Sequence, residues 1–150
     1  EAKLPTTGHP GDAGIDFYAL EDVIFTPGAQ ERVRTGVAIE IPEECVGLIW
    51  DKSSISFNQG LKVMGGVIDN GFRGELVMSM YNTTNTQQMI KKGNKIAQMI
   101  IQKFEECAIV ETDELSDTVR GSGREGSTGF KRARYYGSEG NFICVGNSGP

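Results

Sequence analysis

The sequence predicts an all-β fold, a barrel or sandwich built from many short strands. Three observations carry this. Apolar residues fall in short runs, several of them alternating with polar neighbours. Gly- and Pro-bearing turns punctuate those runs at short intervals. No stretch of about 12 residues or more keeps a helical period, and no internal repeat is visible.

In chain order, residues 1–11 are rich in Pro, Gly and Thr and read as extended or loose. Residues 14–19 form a brief strand after a turn, and residues 23–25 lead into the turn Thr26-Pro27-Gly28-Ala29. Residues 32–41 alternate around Val33, Val37, Ile39 and Ile41 until Pro42 ends the run. Residues 45–50 read as a buried strand. Residues 52–60 hold the one opening for a short helix, with Ser53 or Ser54 as N-cap. Residues 61–67, 76–81, 95–104 and 108–111 complete the strands. From Ser116 onward the apolar pattern fails, and residues 121–129 are mostly Gly, Ser and Thr. Residues 120–150 therefore read as a mobile arm rather than a second domain.

A chain of 150 residues has room for one real core. It shows no apolar run of membrane-spanning length and no signal-peptide pattern, so a soluble protein without membrane contact is expected. Cys45, Cys107 and Cys144 are odd in number and widely spaced. They suit neither a disulfide framework nor a zinc site, which points to a reducing, intracellular compartment. A formal charge of −5 argues against direct polynucleotide binding. Arg120, Arg124, Lys131, Arg132 and Arg134 nevertheless cluster near the C-terminus, as suits an arm that meets phosphates.

The organising stretch runs from Gly65 to Leu76. Two glycines permit close backbone approach. Asp69-Asn70-Gly71 marks a turn, and Phe72 and Arg73 follow it. A carboxylate, a ring, a cation and bare backbone at one strand end are the parts of a pocket for a small anionic ligand. A hairpin whose aspartate merely caps its own turn accounts for the same residues. Three further clusters stand in the same balance. Asp12 and Asp16 suit a hydrated Mg²⁺, or are two turn aspartates. Lys52-Ser53-Ser54 suits an anion at a helix start, or is an ordinary cap. Residues 120–129 suit a phosphate cradle, or are a linker. The Lys and the following helix of a Walker loop are absent there.

Taken together and in order, these clusters resemble the five motifs of the trimeric deoxyuridine triphosphatase (dUTPase) family, across roughly residues 4–130. Residues 12–18 (Asp-Ala-Gly-Ile-Asp-Phe-Tyr) are similar to the first motif. Lys52-Ser53-Ser54-Ile55 is similar to the second, in its viral Lys-Ser-Ser form, and residues 66–74 to the third. Gly93-Asn94-Lys95-Ile96-Ala97-Gln98 is similar to the fourth, and residues 120–129 to the fifth.

The resemblance implies a jelly-roll-like β-barrel over residues 1–119 and a flexible arm over 120–130, with a tail of unknown role over 131–150. It implies a homotrimer whose active sites lie between subunits. The implied reaction is hydrolysis of dUTP to dUMP and pyrophosphate by water attacking the α-phosphate, with Mg²⁺ on the triphosphate. Such an activity limits uracil incorporation into DNA and supplies dUMP for thymidylate synthesis. By the same resemblance Asp69 activates the water and Gln98 helps hold it. Lys52, Ser53 and Ser54 bind phosphates, and Ser53 also steadies the leaving oxygen. Asp16 orders the metal's water shell. Gly66 and the backbone near Val63 read uracil, Phe72 packs on the deoxyribose, and Arg73 belongs to the substrate-binding set. Arg120, Ser127 and Thr128 of another subunit close on the γ-phosphate.

Four departures stand out. Phe72 replaces a frequent Tyr, and Asn94 replaces a usual Asp. Glu125 stands where a Phe usually stacks on uracil, with Arg124 beside it, and the family's usual first strand is missing before Leu4. Two rival readings follow. One is a dCTP deaminase of the same barrel type, for which Ser79 stands where a catalytic Glu is needed. The other is a nucleotide-binding regulatory module with subordinate catalysis.

Overall fold

The computed structural model describes residues 1–121 and 141–146. The chain divides into two compact units, Glu1–Phe104 and Glu105–Pro150.

The first unit is β-rich, as expected. One sheet holds five strands in the order β1 (Thr6–Thr7), β2 (Ile15–Tyr18), β10 (Lys95–Lys103), β5 (Cys45–Asp51), β7 (Val67–Ile68). A second pairs β3 (Val23–Phe25) with β9 (Gln88–Ile90). A third runs β4 (Gln30–Arg34), β8 (Val77–Asn82), β6 (Leu61–Val63). All pairings are antiparallel. One core takes side chains from all three sheets, including Phe17, Phe25, Val33, Leu61, Met80, Ile90, Ile96 and Met99. The period-2 logic of a half-buried strand is plain in β8, where Met78, Met80 and Asn82 are buried and the residues between them are not. Gly47 lets β5 lie close beneath this core, because a Cβ there would stand 2.8 Å from Ile41 and 2.9 Å from Met99.

The central strand is β10, paired with β2 on one side and β5 on the other. It places Gln98 opposite Asp16 and opposite Trp50. Its register to β2 slips by one residue between Lys95 and Ala97, a β-bulge that leaves Ile96 and Ala97 both buried in succession.

Several local expectations need correction. The helix α1 is present over Ser53–Gln59, but its N-cap is Lys52, in extended conformation and without a side-chain cap bond, rather than Ser53 or Ser54. Gly60 ends the helix in the left-handed region. The alternation in residues 32–41 yields ladder only through Arg34. Gly36, at φ 70°, turns the chain, and the residues on either side of it are held by Thr35 Oγ1 donating to Leu76 O and Leu76 N–H donating to Val37 O. β1 forms within the segment expected to be loose, where the Tyr18 hydroxyl meets Thr6 Oγ1. β9 was hidden because only Ile90 in it is buried.

The second unit contains β11 (Cys107–Thr112) paired antiparallel with β12 (Asn141–Gly146). Cys107 and Cys144 form a disulfide, against the expectation of unpaired thiols, and Cys45 is the free cysteine. The pairing of β11 with β12 brings together two cysteines that are 37 residues apart in sequence, with their Cα atoms 5.4 Å apart. Cysteine usage therefore no longer argues for a reducing compartment. β12 also supplies a strand where none was expected. Its signal, Phe142-Ile143-Cys144-Val145, is a short apolar run within Gly- and Ser-rich surroundings. No helix among the described residues is long and apolar enough to cross a membrane.

Buried Asn82 fastens the end of β8. Its amide donates to the carbonyls of Phe25, Thr26 and Thr86, and its oxygen accepts from Thr84 N–H and Oγ1. Asn82→Ala strands these buried groups and should destabilise the protein by about 1–3 kcal/mol. A lowered denaturant midpoint would register this.

Candidate active site

The ends of β2, β5 and β10 meet around one buried carboxylate. Asp16, 1 % exposed, sits on β2. Lys52, just past β5, places Nζ 2.7 Å from its Oδ1, and Lys95, on β10, places Nζ 2.7 Å from its Oδ2. Burial by itself would push the Asp16 carboxyl up. The hydrogen bonds and charges of the two lysines overcome it and hold the carboxyl below its ordinary value. The bond to Asp16 in turn raises Lys95. The two ammonium groups outnumber the one carboxylate they bind, and Lys52 and Asp16 line a cavity of about 580 Å³ together with Asp12, Gly14, Asp51 and Gln98 among others.

Gln98 is fixed within this cavity. Its Nε2 donates to the Asp51 carbonyl at 2.9 Å. Its amide also lies against the backbone of Gly14, where any Cβ would collide with Gln98 Oε1. Ser53 and Ser54 are exposed on the first turn of α1, directly after Lys52. Asp12, which lines the same cavity, accepts the His9 N–H through Oδ2 at 2.9 Å.

A second cavity, of about 340 Å³, adjoins the first and is lined by Trp50, Asp51, Val63, Gly65 and Gly66 among others. Gly66, at φ 135°, presses on β5. Its carbonyl accepts the Ile49 N–H at 2.8 Å, and a Cβ would meet the Ile49 carbonyl. The Val63 N–H donates to Asp51 Oδ1 at 2.7 Å, while the next residue, Met64, donates to Ser79 on the β8 side. N–H and C=O of one strand residue share a side, so the Val63 carbonyl also faces away from β8.

The remaining expected site residues lie elsewhere. Asp69 is exposed and lines a separate cavity with Cys45, Val46, Leu48, Asn70 and Phe104. Its carbonyl accepts the Phe72 N–H in the turn. The Phe72 ring folds over Gly74 and borders a fourth cavity beside Arg34, Glu75 and Ser79. Arg73 donates to the Asn70 and Phe72 carbonyls and pairs with Glu40 at 3.2 Å. Arg120 belongs to the second unit. Ser127, Thr128, Arg124 and Glu125 lie outside the described residues. One protomer thus assembles Asp16, Lys52 and Gln98, with the two serines alongside, and keeps Asp69 and Phe72 apart from them. Sequence reasoning gave no role to Lys95 or Asp51. The pairing of β10 with β2 and β5 is the signal that exposes Lys95, whereas only the fold reveals Asp51.

A lysine-paired carboxylate and a fixed amide thus line one cavity next to a backbone-lined slot, with the two exposed serines following Lys52. The chain belongs to the dUTPase family, whose model matches residues 1–129. The deoxyuridine 5′-triphosphate nucleotidohydrolase of Thermobifida fusca is 44% identical over 132 residues, covering 86% of this chain and 74% of the relative. A mutant of the dUTPase of Staphylococcus bacteriophage 80alpha, solved with dUpNHpp, superposes with a TM-score of 0.80 at 27% identity, covering 86% of this chain and 93% of that one. A mutant dUTPase of S. aureus phage phi11, whose structure reveals coordination of a structural Mg(II) ion, superposes with a TM-score of 0.65 at 26% identity, covering 79% and 90%.

Two outcomes test this geometry. Gly14→Ala must displace the Gln98 amide, and a misplacement of about 1 Å can cost about 10²-fold in rate. Steady-state kinetics should show that loss in kcat with the melting temperature little changed. Because the Asp16 carboxyl is depressed, its contribution to stability is present above the usual aspartate value and is lost as pH falls through the lower folded value. Asp16→Asn should therefore flatten the stability curve below about pH 4, as followed by acid unfolding.

Proposed function

We propose that this chain hydrolyses dUTP to dUMP and pyrophosphate, as its family does, with water attacking the α-phosphate. The observation that carries the reading is the Lys52–Asp16–Lys95 cluster beside Gln98, a preorganised seat at the strand ends. Phosphoryl transfer needs mainly positioning and neutralisation of charge. Lys52, Ser53 and Ser54 hold phosphate oxygens, and Ser53 donates to the oxygen that leaves. Gln98 keeps the attacking water on line. Asp69 takes the proton from that water, as a carboxylate base should.

Base selection rests on backbone. The outward carbonyl of Val63 suits the N3–H of uracil, and the glycine at position 66 keeps the slot open. A base lacking that donor leaves a buried carbonyl unpaired, which costs about 1–3 kcal/mol. Phe72 packs on the sugar, with Arg73 in the substrate-binding set, and Arg120, Ser127 and Thr128 close on the γ-phosphate from another subunit. Support for sharing between subunits is that Asp69 lies in a cavity apart from Lys52 and Gln98. A homotrimer brings the base of one copy to the phosphate seat of its neighbour.

Among the described residues no group of three or more His, Cys, Asp or Glu could hold a metal directly. The donor set instead fits an ion that keeps water and phosphate as its own ligands, as Mg²⁺ prefers. Mg²⁺ on the triphosphate supplies further neutralisation of charge. Asp16 faces that region with its charge already balanced by two lysines, and Asp12 adds a second carboxylate beside it. The protein then works in the intracellular nucleotide pool, limiting uracil in DNA and supplying dUMP. A deaminase would need a carboxylate near the base. Ser79 instead carries a hydroxyl that accepts from Gln30 at 2.7 Å.

Pyrophosphate release assayed in parallel with dUTP, dCTP, dTTP and UTP tests the reading. dUTP should be consumed alone at speed, and dUMP or dUTP arising from dCTP would overturn it. Asp69→Asn should lower kcat by about 10²–10⁴-fold and leave dUTP binding intact by calorimetry.

A further inference from the structure

Asp51 closes β5 and meets three neighbours at once. Its Oδ1 accepts the Val63 N–H at 2.7 Å, its Oδ2 pairs with Lys62 Nζ at 2.7 Å, and its main-chain carbonyl accepts Gln98 Nε2 at 2.9 Å. With Trp50 it lines both the phosphate-seat cavity and the Val63–Gly66 slot. β6 is the edge of its sheet, and β5 belongs to a different one. An edge residue offers an N–H with no ladder partner, and here a side-chain carboxylate stands in for the missing strand. A bond to an ionised acceptor is shorter and stronger than a neutral one, so the contact fixes where the Val63 carbonyl points.

We propose that Asp51 is a positioning residue for base selection, holding the Val63 carbonyl in place beside the phosphate seat. The inference rests on the reading that the Val63 backbone meets uracil. Asp51 acts through the Val63 backbone and takes no proton. Its effect falls on binding and discrimination rather than on the rate of the chemical step.

Four variants, compared with the wild type for kcat and KM on dUTP and dCTP, test it. Asp51→Ala removes the acceptor, and Asp51→Asn keeps a neutral one. Lys62→Ala removes only the ion pair. Asp51→Glu keeps the charge but moves the acceptor out by one methylene, a change the fold tolerates if alanine is not tolerated. Asp51→Ala and Asp51→Glu should raise KM for dUTP about 10-fold and narrow the dUTP-to-dCTP ratio of kcat/KM by a similar factor, with kcat nearly unchanged. Asp51→Asn and Lys62→Ala should stay within about threefold of wild type. Wild-type KM and discrimination in both Asp51→Ala and Asp51→Glu would overturn the proposal, as would a loss confined to kcat. Asp51→Asn as impaired as Asp51→Ala would do the same. A wild type that does not prefer dUTP would instead sink the functional reading, and this inference with it.

Discussion

A carboxylate taken out of water must be paired, and the pairing of Asp16 is what the rest of this site depends on. The cluster draws on three places in the chain: β2 carries the acid, the residue after β5 carries one lysine, and β10 carries the other. Such a cluster adds little net stability, because desolvation offsets most of the attraction. Its value lies in geometry. A slip of β10 against β2 would strand a buried charge, so the cluster holds the register that puts Gln98 opposite Asp16. The lysine pair on Asp16 and the fixed amide are therefore two results of one constraint.

The same strand arrangement lays the proposed machinery out along one strand. β5 runs from the cavity of Asp69 at its Cys45 end to that of Lys52 at its Asp51 end. The Val63–Gly66 slot lies between them, sharing Leu48 and Val67 with the first cavity and Trp50 and Asp51 with the second. The proposed homotrimer would bring Asp69 of one copy to the Lys52 side of its neighbour.

Much of this was legible in the sequence, for identifiable reasons. Residues 45–50 and 95–104 are apolar over strand lengths and pair as β5 and β10, and the Asn70-Gly71 turn follows β7. Asp16, Lys52 and Gln98 could be named together only through the family's motif order, because nothing local brings residues so far apart to one place. Two kinds of feature stayed hidden. Short strands such as β1 and β9 bury too few side chains to show a period. The Cys107–Cys144 disulfide depends on a strand pairing that spacing cannot reveal. The role of Asp51 was equally out of reach, since an acid at a strand end looks like any solvated terminus until β6 arrives beside it.

The bulge in β10 has a consequence best put as a reading frame. A strand is read in twos, so residues three apart, such as Lys95 and Gln98, fall in opposite frames. The extra residue between them acts as a frameshift, and two buried residues in succession, Ile96 and Ala97, mark where it occurs. Downstream of that point the strand serves the core and Gln98, while upstream it delivers Lys95 to Asp16 on the same side. Loss of one residue here would not simply shorten the strand. It would invert everything that precedes it, turning Lys95 away while the core behind remained correctly spelled.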